Sequence, residues 1–344
     1  MDPATHALAS LAFARAFFPR RSWRFVLGVI LAGTLADLDL LALLFGPSAY
    51  LSSRFTVTHS VLGTFAVIAS AFAAIRTLQP SAPATPNGTS ARPETPATIL
   101  LAATFAACLH ILMDLATSSG VAIFWPFKDF RFAWDLLPLT DPWILVLLIT
   151  GILLPELFGL VGSEIGAKDK TPRGRNGAIL SLALVILYLG ARATFHANAA
   201  AQLDAHSYRG ESPKRVAAFP DTLSLVTWHG VIETTAQICT IDVPVTDSPR
   251  FDSESGGVCV HKPEPSAALT LAQQTETAAR FLRAARFPKA SVGTTDDGTE
   301  IAIRDMRNAA EQETRYALAA RVLLEGNGQV AGQHIVWART LRLR

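Results

Sequence analysis

The sequence predicts an all-α polytopic membrane domain of five to six hydrophobic helices (residues 1–200), followed by a small α+β extracytoplasmic domain (residues 201–344). Half of the 344 residues are apolar and only 17% are charged, against about a quarter in an ordinary soluble protein. The charge is also unevenly placed. The first 200 residues hold 14 Lys/Arg and 11 Asp/Glu, whereas the shorter remainder holds 16 and 17. The net charge of +2 disfavours a nucleic-acid partner and leaves the lipid bilayer as the expected one.

Five apolar stretches are long enough to cross a hydrocarbon core, which takes roughly 20 residues. They are Phe25–Phe45, His59–Leu78, Ala97–Thr117, Pro142–Val161 and Gly177–Phe195. A shorter stretch, Thr5–Phe18, precedes them, and its basic cluster follows the apolar run instead of preceding it. We therefore expect a retained helix, not a signal peptide. Asp2 or Thr5 would cap this helix, with Pro3 in its first turn.

The basic residues of the first 200 positions predict the orientation in the membrane. Gln79–Pro96 is a proline-rich loop and Gly166–Asn176 is a second, basic loop. With the turn after the first helix, one side collects Arg20, Arg21, Arg24, Arg76, Arg92, Lys168, Lys170, Arg173 and Arg175. The other side collects Arg54, Lys128 and Arg131. The positive-inside rule makes the larger set cytoplasmic, which predicts a multi-pass protein of a bacterial inner membrane with its C-terminal domain outside the cytoplasm.

The C-terminal domain has the alternating and β-branched patterns of strands, together with one helical segment. The predicted strands are Thr222–Trp228, Val231–Val243, Glu300–Asp305, Arg315–Glu325 and Gln329–Ala338. Apolar spacing predicts a helix over Ser266–Arg286. Cys239 and Cys259 flank a turn-rich segment in a compartment expected to be oxidising, which suggests a disulfide, the alternative being two free thiols. Cys108 is expected to stay reduced and buried in an apolar helix.

Six imidazole and carboxylate groups lie in or at the ends of the first four apolar segments. They are His6, Asp37, Asp39, His59, His110 and Asp114. Any one of them could be a cap or an interhelical hydrogen bond. Six together, without matching intramembrane Lys or Arg, are costly in hydrocarbon and call for a cation. A bound metal ion is the natural one.

The spacing of these groups supports a common site. His110 and Asp114 are four residues apart, so they share one face of a helix. His6 and Asp37 lie 15 residues before and 16 after the first turn, which places both some 22–24 Å from it on antiparallel helices. Asp37 and Asp39 are about 200° apart around an α-helix, so we expect one to bind the metal and the other to cap a helix, orient a ligand or bind a second ion.

The nitrogen and carboxylate donors suit one or two divalent ions, zinc before manganese or iron. Asp37, Asp39 and Asp114 would then be catalytic carboxylates around a metal-activated water that attacks a phosphoester. The residues expected to bind substrate are Arg54, Ser60, Thr117, Lys128 and Arg131. Helix capping is the alternative role for the hydroxyls, and lipid headgroup anchoring for the basic residues.

Several short motifs around these residues occur in the same order in a known family. They are Asp2-Pro3-Ala4-Thr5-His6, Gly33-Thr34-Leu35-Ala36-Asp37-Leu38-Asp39, Thr58-His59-Ser60, His110-x-x-x-Asp114-x-x-Thr117-x-x-Gly120 and Pro126-Phe127. With them the sequence resembles the YdjM-like, LexA-regulated bacterial membrane-bound metal-dependent hydrolases. It is more distantly similar to the zinc-dependent phospholipase C and single-strand nuclease superfamily. The second resemblance implies a helical metal site that hydrolyses phosphoesters, a phospholipid among the substrates considered.

A non-enzymatic membrane protein with a structural or transported metal ion is the alternative. A transporter would need polar residues that continue through the inner half of the membrane. The segment from Ser60 to Ile75 contains no charged residue. The sequence therefore favours the hydrolase over the transporter.

Overall fold

The computed structural model describes residues 1–19, 21–78, 94–164, 174–246, 251–254, 256–307, 316–326 and 328–339. The N-terminal part is helical. Its helices are α1 (Pro3–Phe17), α2 (Trp23–Ala32), a 3-10 helix (Leu35–Phe45), α3 (Pro47–Ser53), α4 (Val61–Leu78), α5 (Pro96–Leu115), α6 (Pro142–Glu164) and α7 (Arg175–Asp204). The loops predicted at Gln79–Pro96 and Gly166–Asn176 lie outside the described residues, except for positions 94–96 and 174–176.

Four of these helices, α4 to α7, are long and apolar enough to cross a membrane. A fifth crossing is made if α2 and the 3-10 helix, which are bent by 55° at their junction, form one broken span. This confirms the predicted helical membrane domain. The span predicted as Phe25–Phe45 is interrupted at Gly33 and Thr34, however, and α7 continues beyond its predicted end at Phe195 to Asp204.

Helix α1 lies between two groups of helices. Ala14 packs into a core with α2, α4 and α5. Ala9, Ala12 and Ala16 pack into a second core with α6 and α7. Small side chains let neighbouring helices approach closely, which explains why so short a helix can occupy the centre. Its first turn is capped by Asp2, whose carboxylate accepts the backbone N–H of Thr5 at 3.0 Å.

The C-terminal domain consists of two four-stranded antiparallel sheets and two helices. The first sheet is β1 (Arg215–Pro220), β2 (Thr227–Glu233), β3 (Gln237–Pro244) and β4 (Gly257–His261), in that order. The second is β5 (Pro288–Thr295), β6 (Gly298–Asp305), β7 (Tyr316–Leu324) and β8 (Val330–Arg339). Between them come α8 (Ala267–Gln274) and α9 (Glu276–Ala284), which pack on the second sheet. The α+β prediction is confirmed.

The elements of this domain differ from the sequence prediction in detail. The segment Val231–Val243 is a hairpin of β2 and β3, not one strand. The helix predicted over Ser266–Arg286 is broken at Thr275, whose hydroxyl caps α9. Strands β1, β4 and β5 were not predicted, because their alternation is weak and their pairing partners supply the stabilising contacts.

Two of the three cysteines form a disulfide, and the third is a free thiol. Strands β3 and β4 place Cys239 directly opposite Cys259, and a disulfide joins them, as predicted. The expectation that Cys108 is buried is wrong. It lies exposed on α5, because this helix turns its alanines inward and leaves that face uncovered.

The C-terminal domain packs directly on the helical part. The end of α7 enters the core of the first sheet, where Leu203 lies in the same cluster as Trp228. The second sheet and α9 lie against α3, with the ring of Tyr50 5.9 Å from that of Trp337. Arg286 forms a bidentate ion pair with Asp135, which lies in the loop between α5 and α6. These contacts place the second sheet beside the polar cluster described next.

Candidate metal centre

Four separate segments bring the six predicted polar groups together in the helical part. Helix α1 carries His6, the 3-10 helix carries both aspartates, the turn before α4 carries His59, and α5 carries His110 and Asp114. All six side chains are buried. Three of their atoms form a nearly equilateral triangle. The two Nε2 atoms of His59 and His110 are 3.1 Å apart, and lie 3.0 and 3.1 Å from Oδ2 of Asp114.

The hydrogen bonds of the two Nδ1 atoms, which lie outside the triangle, indicate where the protons of the two histidine rings lie. Nδ1 of His110 donates to the carbonyl of Gly33 at 2.8 Å. Nδ1 of His59 lies 3.0 Å from the hydroxyl oxygen of Thr58 and 3.2 Å from Oδ2 of Asp39. Because a carboxylate can only accept, a proton on this nitrogen satisfies both neighbours. A neutral imidazole that donates from one nitrogen carries a lone pair on the other. With the ring protons on the two Nδ1 atoms, three lone-pair atoms face one another, an arrangement that a cation would stabilise.

The triangle also has the size that a divalent ion requires. Ligand atoms at zinc-bond distance in a tetrahedral site lie about 3.3 Å from one another. The observed edges of 3.0 to 3.1 Å are shorter by only a few tenths of an ångström. Oδ2 of Asp114 has no hydrogen-bond partner among the described residues. The two nitrogens and this oxygen thus fit a metal ion.

A second group of potential ligands adjoins the first. His6, Asp37 and His110 offer ligand atoms that all lie within 4.8 Å of one another. The ring of His6 stacks on that of His110 at 3.8 Å, and its Nε2 lies 3.2 Å from Oδ1 of Asp114. Within the described part of the chain, Oδ2 of Asp37 has no hydrogen-bond partner. The amino group of Met1 contacts Oδ1 of Asp114 from the same side.

Asp37 and Asp39 have different surroundings. Asp37 belongs to the second group of potential ligands, whereas Asp39 belongs to neither group. Asp39 instead accepts from His59 and from the backbone N–H of Phe55 at 2.9 Å. The prediction that one aspartate binds a metal and the other orients a ligand stays a prediction. Its assumption of an α-helix is wrong, because the segment is a 3-10 helix and both carboxylates reach Arg54.

Arg54 is the basic residue that the sequence argument held to be missing. Its guanidinium donates to Oδ1 of Asp37 at 3.0 Å and to Oδ1 of Asp39. The expectation of six polar groups without a matching cation is therefore wrong in this respect. No sequence signal marked the pairing, because Arg54 is 15 residues from Asp39 and reaches it only through the turn after α3. Arg54 and the amino group of Met1 together contact three carboxylates, which still leaves one carboxylate charge without a matching cation.

The hydroxyls predicted to bind substrate are engaged with the backbone. Ser60 donates to the carbonyl of Val57 at 2.9 Å and accepts the N–H of Gly63 at 3.0 Å, which caps α4. Thr117 donates to the carbonyl of Asp114 at 2.8 Å. In this geometry both hydroxyls support the ends of helices that carry metal-binding groups.

The two remaining basic residues lie in the loop between α5 and α6. Lys128 is exposed. Arg131 donates to the carbonyl of Leu51 at 3.4 Å and lines a cavity beside Arg54. Burial, and then the neighbouring charge of Arg307, lower the pKa of Arg131 to about 10. Arg131 thus remains a cation near neutral pH in the wall of this cavity.

Comparisons with known proteins identify the helical part. No curated protein and no solved structure matches the chain. The family described as YdjM inner membrane protein matches residues 1–199, which include every potential metal ligand described above and end within α7. The C-terminal sheets lie outside the matched region. The chain therefore belongs to the YdjM inner membrane protein family.

Proposed function

We propose that this membrane protein is a metal-dependent hydrolase of phosphoesters, with zinc as the expected metal and a phospholipid headgroup among the expected substrates. The observation that carries the proposal is the buried triangle of His59, His110 and Asp114, whose three potential ligand atoms lie 3.0 to 3.1 Å from one another. A divalent ion held there would polarise a phosphoryl oxygen and make a water molecule acidic.

The surrounding residues have distinct tasks in this proposal. The carbonyl of Gly33 and the carboxylate of Asp39 hold the two histidine rings in the tautomer that binds a metal. Asp37 has a free carboxylate oxygen on the inner side of the cluster. It is placed to take a proton from an attacking water, or to bind a second ion. Arg54 keeps both aspartates in position and neutralises part of their charge.

A non-enzymatic role, with a structural or transported ion, is the competing account. A transported ion needs polar groups along its path through the membrane. The buried positions of α4 beyond the cluster are Val67, Ile68, Ala71 and Ile75. These offer no ligand to an ion leaving the centre, which favours a hydrolase over a transporter.

We also propose that the C-terminal domain lies outside the cytoplasm. The nine-to-three distribution of basic residues and the Cys239–Cys259 disulfide support this, since disulfides persist in oxidising compartments. Reporter fusions after Val161 should report cytoplasm, and fusions after Ala205 should report the periplasmic side. The reverse pattern would contradict the orientation.

The hydrolase proposal is tested on purified protein with a panel of water-soluble phosphomonoesters and phosphodiesters and with short-chain phospholipids. Wild-type protein should release product in a reaction that chelators stop and zinc restores. His59→Ala and His110→Ala should each lose at least about 100-fold in rate. His334→Ala is the matched control, because this exposed histidine lies on β8, away from the cluster. Undiminished rates in both cluster variants would refute the proposal, and metal without any hydrolysis would favour the non-enzymatic account.

A further inference from the structure

A cavity of about 200 Å³ lies between the helical part and the C-terminal domain. Helix α3 and the loop after α5 form one side, and α9, β7 and β8 form the other. Its polar lining includes Arg54, Ser118, Arg131, Asp305 and Arg307. Arg54 belongs to the wall of this cavity and also binds the two aspartates of the metal centre. The cavity therefore reaches the metal centre through one side chain.

The lining of the cavity is positively charged. Arg54 is paired with the aspartates, and Arg307 is paired with Asp305 at 2.9 Å. Arg131 is half-buried and donates to the carbonyl of Leu51, and it has no carboxylate partner within 4.0 Å among the described residues. A cation that is partly removed from water without an anionic partner is stabilised when an anion enters. The third guanidinium thus gives the cavity a preference for anions.

Two buried hydrogen-bond donors of the same cavity also lack partners. Within the described part of the chain, neither Nε of Arg54 nor Oγ of Ser118 has a hydrogen-bond partner. Both residues are more than nine-tenths buried, at 4% and 5% exposure. Unpartnered buried donors are rare in folded proteins because each one costs free energy. A bound group with several acceptor oxygens would satisfy both of them and Arg131.

From this lining we infer that the cavity binds a phosphoryl group, with Arg131, Ser118 and Arg54 as its donors. A phosphoryl group offers several acceptor oxygens and matches the planar fork of a guanidinium. The choice of phosphoryl over other oxyanions rests on the proposed function. The anion site itself rests only on the cavity lining.

The inference gives the C-terminal domain a part in binding. Arg307 comes from this domain and donates to the backbone carbonyl of Ser118 at 2.6 Å. The hydrogen bond from Arg307 holds the backbone of Ser118, whose hydroxyl has no partner among the described residues. The family match ends at residue 199. The three proposed donors therefore belong to the matched helical part, whereas about half of the cavity wall is formed by the C-terminal domain.

A second cavity, of about 370 Å³, lies on the other side of Arg131. Its lining includes Trp125, Asp129, Arg280 and Arg283. Arg131 is in the wall of both cavities. Basic side chains that line adjoining cavities attract anions and raise the local concentration of those anions. The second cavity therefore provides an approach to the first for an anionic headgroup.

The test measures binding of inorganic phosphate to the full-length protein in lipid nanodiscs by titration calorimetry, with metal content determined on the same samples. Wild-type protein should bind phosphate saturably. Arg131→Gln should weaken binding by at least about tenfold, because a charge-assisted hydrogen bond is lost. Ser118→Ala should weaken it as well, and this variant removes a hydroxyl without a partner, so folding is not at risk. Arg321→Gln, which removes a guanidinium from β7 outside the cavity, should bind as wild type.

Competition identifies the source of the phosphoryl group. If phosphatidic acid in the nanodisc displaces phosphate and phosphatidylcholine does not, the site takes an anionic lipid headgroup. If neither lipid competes, the site takes a water-soluble phosphoester. Both results support the inference that the cavity binds a phosphoryl group. Absence of saturable phosphate binding, or equal binding by wild type, Arg131→Gln and Ser118→Ala, would overturn it. Phosphate binding that depends on Arg131, by a protein that takes up no metal even at saturating zinc, would overturn the proposed hydrolase and leave the anion site standing.

Discussion

At the scale of single residues, the partners of the histidine ring nitrogens define the centre. His110 is held by a backbone carbonyl and His59 by a carboxylate. These two hydrogen bonds fix which nitrogen of each ring faces Asp114. Asp39 is therefore a positioning residue, which acts on a metal ion through the ring of His59.

Asp39→Asn should lower the affinity for zinc by about 10–100-fold, because an uncharged amide holds the Nδ1–H group of His59 more weakly than the carboxylate does. Competition with a chromophoric chelator measures this affinity. The metal content at saturating zinc should stay near that of wild type, since the ligand atoms remain. Asp297→Asn, in an exposed turn between β5 and β6, is the control. An unchanged zinc affinity in Asp39→Asn would show that the carboxylate has no positioning role.

Another buried histidine, His229 on β2, lies between two carboxylates of the C-terminal domain. Its Nδ1 is 2.6 Å from Asp242, and its Nε2 is 3.2 Å from Asp221. Burial, the largest single effect, favours the neutral ring, but the two carboxylates together outweigh it and raise the pKa of His229 above its usual value. A raised folded-state pKa stabilises the protein below the unfolded value, and this contribution is lost as pH rises through the folded pKa.

The thermal stability of wild type and His229→Gln should therefore differ more at pH 6 than at pH 9. At pH 6 the protonated ring pairs with both carboxylates, and the variant lacks this pairing. At pH 9 the ring of wild type is neutral, and the difference shrinks. Melting curves of both proteins in detergent at the two pH values measure it. A difference that grows with pH would contradict the assignment of the raised pKa.

At the scale of elements, the break between α2 and the 3-10 helix makes the centre possible. The break frees the carbonyl of Gly33 to accept from His110, and the following 3-10 helix brings both aspartates to Arg54. A 3-10 segment of 11 residues is unusually long and is typical of a functional constraint. Gly33 is required here, because a Cβ on it would lie 1.9 Å from Oγ of Ser10 on α1.

Gly33→Ala should destabilise the protein and lower its metal affinity, because the clash with Ser10 moves the carbonyl that orients His110. The double variant Gly33→Ala/Ser10→Gly removes the opposing side chain and should recover most of both losses. Thermal unfolding and zinc titration of the two variants measure the effect. If Ser10→Gly gives no rescue, close packing of α1 on the break is not what requires the glycine.

The elements show what sequence could and could not predict. Hydropathy predicted the spans and helical spacing placed His110 beside Asp114, since both depend on local pattern. The sequence is apolar on both sides of Gly33, so its hydropathy gave no indication of the break within Phe25–Phe45. The pairing of Arg54 with the aspartates depends on a turn whose geometry is set by tertiary packing. Strand β1 lacked an alternating pattern of its own and is stabilised by pairing with the next strand, β2.

At the scale of the whole molecule, two parts meet around one polar region. The family match covers the helices, and the C-terminal domain docks on them through α7, the Arg286–Asp135 pair and the Arg307–Ser118 contact. The gathering of the six polar groups followed from the sequence. The cavity did not, because it forms only when the second sheet packs on α3. A ligand in the cavity would touch both parts, so binding and domain docking should stabilise each other.

The measurement that tests the central claim most directly is the metal content of the purified protein, determined by elemental mass spectrometry. Wild-type protein and the His334→Ala control should hold about one or two divalent ions per chain. His59→Ala, His110→Ala and Asp114→Ala should each lose most of that metal, because each removes one of the three converging ligand atoms. Metal contents equal to that of wild type in all three variants would contradict the account.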